Sequence, residues 1–242
     1  MKKILSLLFL SLLITISPIS TKADTTLSKD TVGNPELTYE VYLELIDSGI
    51  LDETITYDVW VQLNSEERSN SIKEEAELSS LPTTLSGSTS SLVRGDILIS
   101  NGSSSYGLTG HAGIVVGNDR ILHIAGPGYK TNIIKFSTWT NKYGKPRGGI
   151  VNTEVYRISN WTHRNAAADW AVAKYENLGA SYSLTTGLYT FNPTYCSKIV
   201  WQAYHYGPST SLVNAPGGPL ATPYGLPTYF KSTANISYQF NF

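Results

Sequence analysis

One cysteine, Cys196, stands in a chain of 242 residues, and four histidines, His111, His123, His163 and His205, are the bases that could serve it. A lone cysteine cannot close a disulfide within its own chain, which leaves an intermolecular link, an inert buried thiol or a reactive nucleophile. Cys196 opens the run Ser197-Lys-Ile-Val-Trp-Gln-Ala-Tyr, in which Ile199, Val200, Ala203 and Tyr204 share one apolar face before Gly207-Pro208 breaks the pattern. The spacing predicts a helix with the cysteine in its first turn, where unpaired backbone N–H groups and the helix dipole both favour a thiolate. Since the thiolate is the attacking form, position and chemistry agree there.

A thiol nucleophile needs a base, and His111 and His123 are placed to cooperate. His111 opens the strand-like Ala112-Gly-Ile-Val-Val, His123 lies in Arg120-Ile-Leu-His-Ile, and Gly117-Asn-Asp between them is a turn signal. A hairpin folded at that turn sets the two rings side by side, so that one accepts the thiol proton while the other fixes its orientation and tautomer. The backbone N–H of Cys196 and the side chain of Tyr195 are the candidate donors to an oxyanion. His163, near a helix start, and His205, at the end of the cysteine helix, read as structural residues. The histidines and the cysteine lack metal-ligand spacing and no phosphate-binding glycine loop occurs, so no cofactor or metal is expected.

The elements that must hold these groups follow from the rest of the chain. Lys2 and Lys3 precede an apolar run from Ile4 to Ile16 and small residues ending at Ala23. That pattern reads as a signal peptide over residues 1–23; its apolar part falls short of the roughly 20 residues a bilayer span needs, so a secreted or cell-wall-associated protein without stable membrane insertion is expected. Residues 24–81 are acidic and helix-prone, with Tyr39, Val41, Tyr42, Leu45 and Ile46 at amphipathic spacing, and read as two or three short helices forming an accessory extension. Residues 82–91 read as a Ser-rich linker, and 92–242 as the catalytic domain. Strands are expected at 96–100, 112–116, 120–124, 149–158 and 236–240. A helix over 162–178 should be capped by Asn160 and closed by Gly179. Lys plus Arg number 18 and Asp plus Glu 19; without Lys2, Lys3 and Lys22 the balance is 15 − 19 = −4, which offers no basic stripe for nucleic acid.

Three blocks, Gly95-Asp-Ile-Leu-Ile-Ser, Gly110-His-Ala-Gly-Ile-Val-Val-Gly-Asn and Tyr195-Cys-Ser-Lys-Ile-Val-Trp-Gln-Ala-Tyr, resemble the circularly permuted papain-fold hydrolases of the NlpC superfamily, in the branch of YiiX and YaeF. Histidine precedes cysteine here, as in the permuted branch, and Leu178-Gly-Ala-Ser-Tyr resembles the Gly-x-x-Tyr turn before the cysteine block. The histidine pair is similar to that of lecithin:retinol acyltransferase-like proteins, whose third catalytic position is a histidine. The resemblance spans about residues 92–240. It implies an α+β papain-like fold, with an antiparallel sheet or half-barrel packed against the cysteine helix, and a catalytic set of Cys196, His111 and His123.

Outside a bacterial cell, this implies a cysteine hydrolase that cleaves an amide of peptidoglycan peptides through an acyl-thioester. The alternatives are a thioesterase or acyltransferase on lipid or lipidated substrates, and a wall-binding module using Trp139, Trp161 and Tyr224 as exposed platforms for sugar. Arg94-Gly-Asp spells an adhesion tripeptide, which the entry into the first strand explains more simply.

Overall fold

The computed structural model describes residues 37–65, 92–101, 108, 110–144 and 153–242. The expected signal peptide and linker lie outside them, as does most of the third helical stretch that follows Ser65. The described chain is α+β. Six antiparallel strands form one sheet: β1 (Ile97–Ser100), β2 (His111–Gly117), β3 (Arg120–His123), β4 (Asn132–Lys135), β5 (Thr153–Ile158) and β6 (Ile236–Asn241), in the spatial order β4-β3-β2-β1-β5-β6. The helices are α1 (Tyr39–Asp47), α2 (residues 57–65), α3 (Phe136–Tyr143), α4 (Trp161–Tyr175), α5 (Cys196–Tyr206) and the short α6 (Leu226–Tyr229).

Alternation along the strands divides the sheet into two apolar faces, because successive side chains point to opposite sides. Ile97, Ile99, Ala112, Ile114, Val116 and Leu122 join the buried faces of α4 and α5 in the larger core. Leu98, Val115, Ile121 and Val155 face the other way and are covered by Phe136, Trp139 and Tyr143 of α3. Each fully buried aliphatic side chain of this kind contributes about 1.5–3 kcal/mol. The strands at the centre of the sheet are therefore apolar on both sides.

Local signals set the helix ends. Asn160 caps α4, its side chain accepting the N–H groups of Thr162 and His163, as expected. Thr38 caps α1 in the same way. The region around α1 and α2 is joined to the rest of the core through Leu45, Leu51, Ile55 and Trp60. Between them, Leu51 forms a parallel bridge with Leu184, with Asp52 N–H donating to Leu184 O at 2.8 Å and Leu184 N–H to Ile50 O at 2.7 Å. Tyr182 in turn bridges Thr194 in parallel, two residues before Cys196. The extension thus supports the segment that leads into the cysteine helix.

Gly95 and Asp96 carry the turn into β1. Asp96 is fully buried and holds the Arg157 guanidinium in two bonds of 2.7 Å, while accepting Val93 N–H at 2.8 Å. The aspartate of the Arg94-Gly-Asp tripeptide is therefore inside the protein and is no adhesion signal.

Candidate active site

His111 and His123 come together as the hairpin requires. β2 and β3 pair around Gly117 and Arg120, and the ring nitrogens His111 Nε2 and His123 Nδ1 lie 2.9 Å apart. Both side chains are buried and their rings are nearly perpendicular. They project onto the α3 side of the sheet, where the His111 ring stacks on Tyr143 at 4.3 Å and on Trp139 at 5.3 Å between centroids. A glycine makes room for this: a Cβ on Gly113 would come within 2.7 Å of the Trp139 ring. At the start of the same strand Gly110 has φ +87°, and the Tyr224 ring lies where its Cβ would be. A side chain at Gly113 would displace the Trp139 wall of the histidine pair, and one at Gly110 would displace the Tyr224 ring.

The environment keeps this pair neutral. Burial is the largest cause of a His111 pKa well below the ordinary imidazole range, followed by the charges of His123 and Lys142. His123 is pushed down to about 3, again chiefly by burial and then by Lys142. Neutrality fixes the proton arithmetic, since a single hydrogen bridges the two nitrogens. When His111 Nε2 is the donor, His123 Nδ1 accepts, and the His111 Nδ1 lone pair is the basic site. In the opposite arrangement His111 Nδ1 carries the proton and cannot act as a base. The His123 tautomer thus selects whether His111 is competent.

Cys196 is the first residue of α5, with Tyr195 as its N-cap. The first ladder bond of that helix is Ile199 N–H to Tyr195 O at 3.1 Å, so the amides of Cys196, Ser197 and Lys198 have no acceptor within the helix. The thiol is buried. α5 packs on the face of the sheet opposite the histidine rings, and Tyr143 links the two sides of the site: its ring touches that of His111, and its phenol feels the charge of Cys196. The Tyr195 hydroxyl accepts Ala221 N–H at 3.0 Å, and Ser197 Oγ donates to Ala221 O at 2.7 Å, which ties residues 220–224 across the start of α5. Tyr195 is thereby fixed between the cysteine and that segment.

On the same helix Lys198 and Gln202 hold the loop before the cysteine. Lys198 Nζ donates to Thr190 Oγ1 at 3.1 Å and to Pro193 O at 3.0 Å; Gln202 Nε2 donates to Leu188 O and Thr190 O. Lys198 is buried, and burial lowers its pKa to about 8. His205, in the last turn of α5, stacks on Trp201 and bonds Ser211, and His163 follows the cap of α4; neither joins the pair. Of the three aromatic residues expected as sugar platforms, only Trp161 is exposed. Trp139 and Tyr224 are buried, the first as a wall of the histidine pair and the second against Gly110. That expectation is corrected for both rings, which are buried and offer no exposed face to a sugar.

β4 and α3 were not expected from the sequence, and they supply Trp139, Lys142 and Tyr143. Their signal was available in Phe136, Trp139 and Tyr143, which are spaced for one helical face. Among the described residues no three His, Cys, Asp or Glu side chains converge as metal ligands. No helix among them is long and apolar enough to cross a membrane.

An α+β fold with histidine strands preceding a helix that begins at the cysteine defines the permuted papain-like class. Within it, residues 68–238 match the sequence model of the lipoprotein N-acylation proteins like LnsA, and the chain belongs to that family. A relative described as an uncharacterized 30.3 kDa protein from Bacillus thuringiensis is 32% identical over 230 residues, covering 79% of this chain and 84% of that one. Among solved structures, the metalloprotein YiiX of Escherichia coli O157:H7 is similar, with a TM-score of 0.41 and 14% identity over 62% of this chain and 97% of that one. The family is related to acyltransferases and hydrolases.

Proposed function

We propose that the protein is an acyltransferase in which Cys196 takes an acyl group from a lipid ester and passes it to an amine, such as the N-terminus of a lipoprotein. The observation that carries this reading is the buried, neutral His111–His123 pair joined at 2.9 Å, in a fold whose single cysteine is the first residue of a helix. The family's description, lipoprotein N-acylation, supports the choice of substrates.

In the first half-reaction His111 Nδ1 takes the thiol proton and the sulfur attacks the ester carbonyl. The tetrahedral adduct collapses, His111 returns the proton to the leaving alkoxide, and an acyl-thioester remains on Cys196. In the second half-reaction an amine attacks that thioester, His111 takes the amine proton and gives it back to the departing sulfur. His123 accepts the His111 Nε2 hydrogen throughout and keeps the basic nitrogen directed at the reaction. Burial of the thiol and both rings excludes water from the thioester, which favours aminolysis over hydrolysis.

A cell-wall peptidase, the leading expectation from sequence, would share the acyl-enzyme but draw its acyl group from a peptide amide. Incubation with phospholipid vesicles and a peptide bearing an N-terminal diacylglyceryl-cysteine separates the two. Amide-linked acyl peptide, absent with Cys196→Ala, is expected. Release of soluble fragments from purified peptidoglycan with no acyl peptide formed would overturn the transferase reading in favour of the peptidase.

A further inference from the structure

Tyr143 carries a hydroxyl that the resting protein leaves without an acceptor or donor among the described residues, although the atom is buried. Everything else about the residue is fixed. Its ring stacks on His111 at 4.3 Å with 28° between planes and meets His123 edge to face at 5.6 Å. Its carbonyl accepts Ser100 Oγ from β1, and the Lys142 ammonium lies 5.3 Å from the ring centroid. Burial first, and then the nearby Cys196, push the phenol above its ordinary range, so it is a neutral donor within the field of the cysteine. The Cys196 sulfur is not its partner, because a hydroxyl–sulfur bond would satisfy the atom. Buried hydroxyls are almost always paired, and an orphan on a ring stacked against His111 marks a place for a group that arrives only during the reaction.

We propose that the Tyr143 hydroxyl donates to the oxyanion of the tetrahedral adduct formed on Cys196. This rests on the acyl-enzyme reading above. When the sulfur attacks, the carbonyl π pair moves to oxygen, and Tyr143 Oη–H donates to that negative oxygen alongside the backbone N–H groups of the first turn of α5. Tyr143 keeps its proton throughout. As the bond to the leaving group breaks, the electron pair returns to re-form the carbonyl and the hydrogen bond weakens. A bond made only in the adduct accelerates acylation without tightening ground-state binding.

The test uses the full-length protein, 4-nitrophenyl butyrate as acyl donor, and Tyr143→Phe, which retains the stacked ring. Acylation is followed by the 4-nitrophenolate burst and by intact mass. The variant should acylate about 10²–10³-fold more slowly than wild type, the loss typical of one oxyanion donor, with unchanged KM and unchanged iodoacetamide alkylation of Cys196. Its thermal midpoint should rise, because an unsatisfied buried hydroxyl has been removed. Equal acylation rates in variant and wild type would overturn the proposal while leaving the acyl-enzyme intact. A slower variant whose thermal midpoint falls and whose alkylation slows in parallel would also overturn it, by showing a purely structural role. If wild type forms no acyl-enzyme at all, the functional reading fails and this inference fails with it.

Discussion

Acid should destabilise this protein more steeply than its carboxylates alone require, and His123→Gln isolates the cause. In the folded protein His123 protonates near pH 3, whereas in the unfolded chain it does so near 6.5. A folded pKa below the unfolded one means that the unfolded chain binds the extra proton first. Stability is therefore complete above pH 6.5 and is lost as pH falls toward 3. Each pH unit in that window costs about 1.4 kcal/mol for one such group. His111 is displaced in the same direction and adds to the loss. Against a typical domain stability of about 5–15 kcal/mol, a loss of that slope over two pH units is a large share of the total. Glutamine at 123 keeps an amide oxygen to accept the His111 Nε2 hydrogen but binds no proton. Urea unfolding followed by tryptophan fluorescence at intervals from pH 7 to pH 4 gives the comparison. Wild type should lose stability faster than the variant, the difference in slope approaching about 1.4 kcal/mol per pH unit. Parallel pH profiles would refute the claim that His123 is held neutral by burial.

Further outcomes follow from the same contacts. Asp96→Ala leaves the Arg157 guanidinium without its two 2.7 Å bonds and should cost about 3–5 kcal/mol in urea unfolding, far more than removal of the exposed Arg120–Glu176 pair. Lys198 has a folded pKa of about 8 against 10.5 unfolded, so burial of its charge weighs on the fold below pH 8 and is relieved as pH rises toward 10.5. Wild type should thus gain stability relative to Lys198→Met between pH 8 and 10, and identical profiles would remove the lysine from this account. Gly113→Ala should drive Trp139 off the His111 ring, costing about 1–3 kcal/mol and lowering acylation together, both measurable on one preparation.

The cysteine helix was legible because its apolar face, its Gly207-Pro208 stop and the position of Cys196 all point one way; the observed α5 runs from Cys196 to Tyr206. The histidine hairpin was legible for a similar reason: Gly117-Asn-Asp is a strong turn signal, and two flanking apolar runs leave little choice of register. α4 ends three residues before the expected 178 because the chain turns at Glu176 before reaching Gly179, whose φ is +56°. β4 and α3 escaped because Asn132–Lys135 is short, half-exposed and bordered by polar residues, so its strand character comes from pairing with β3. The consequence was a misreading of Trp139 as a surface ring. Burial of an aromatic residue depends on what crosses it in space, and here that is the sheet face opened by Gly113, a residue 26 positions away in the chain.

The central claim, that Cys196 carries the acyl group with His111 as its base, is tested most directly by intact-mass and peptide-mapping analysis after brief exposure to phospholipid vesicles. One acyl adduct per chain is expected, located on Cys196 and released by neutral hydroxylamine as a thioester. The adduct should be absent in Cys196→Ala and formed at least about 10²-fold more slowly in His111→Ala, the scale of a lost general base. An adduct that persists in Cys196→Ala, or one that forms at the wild-type rate in His111→Ala, would contradict it.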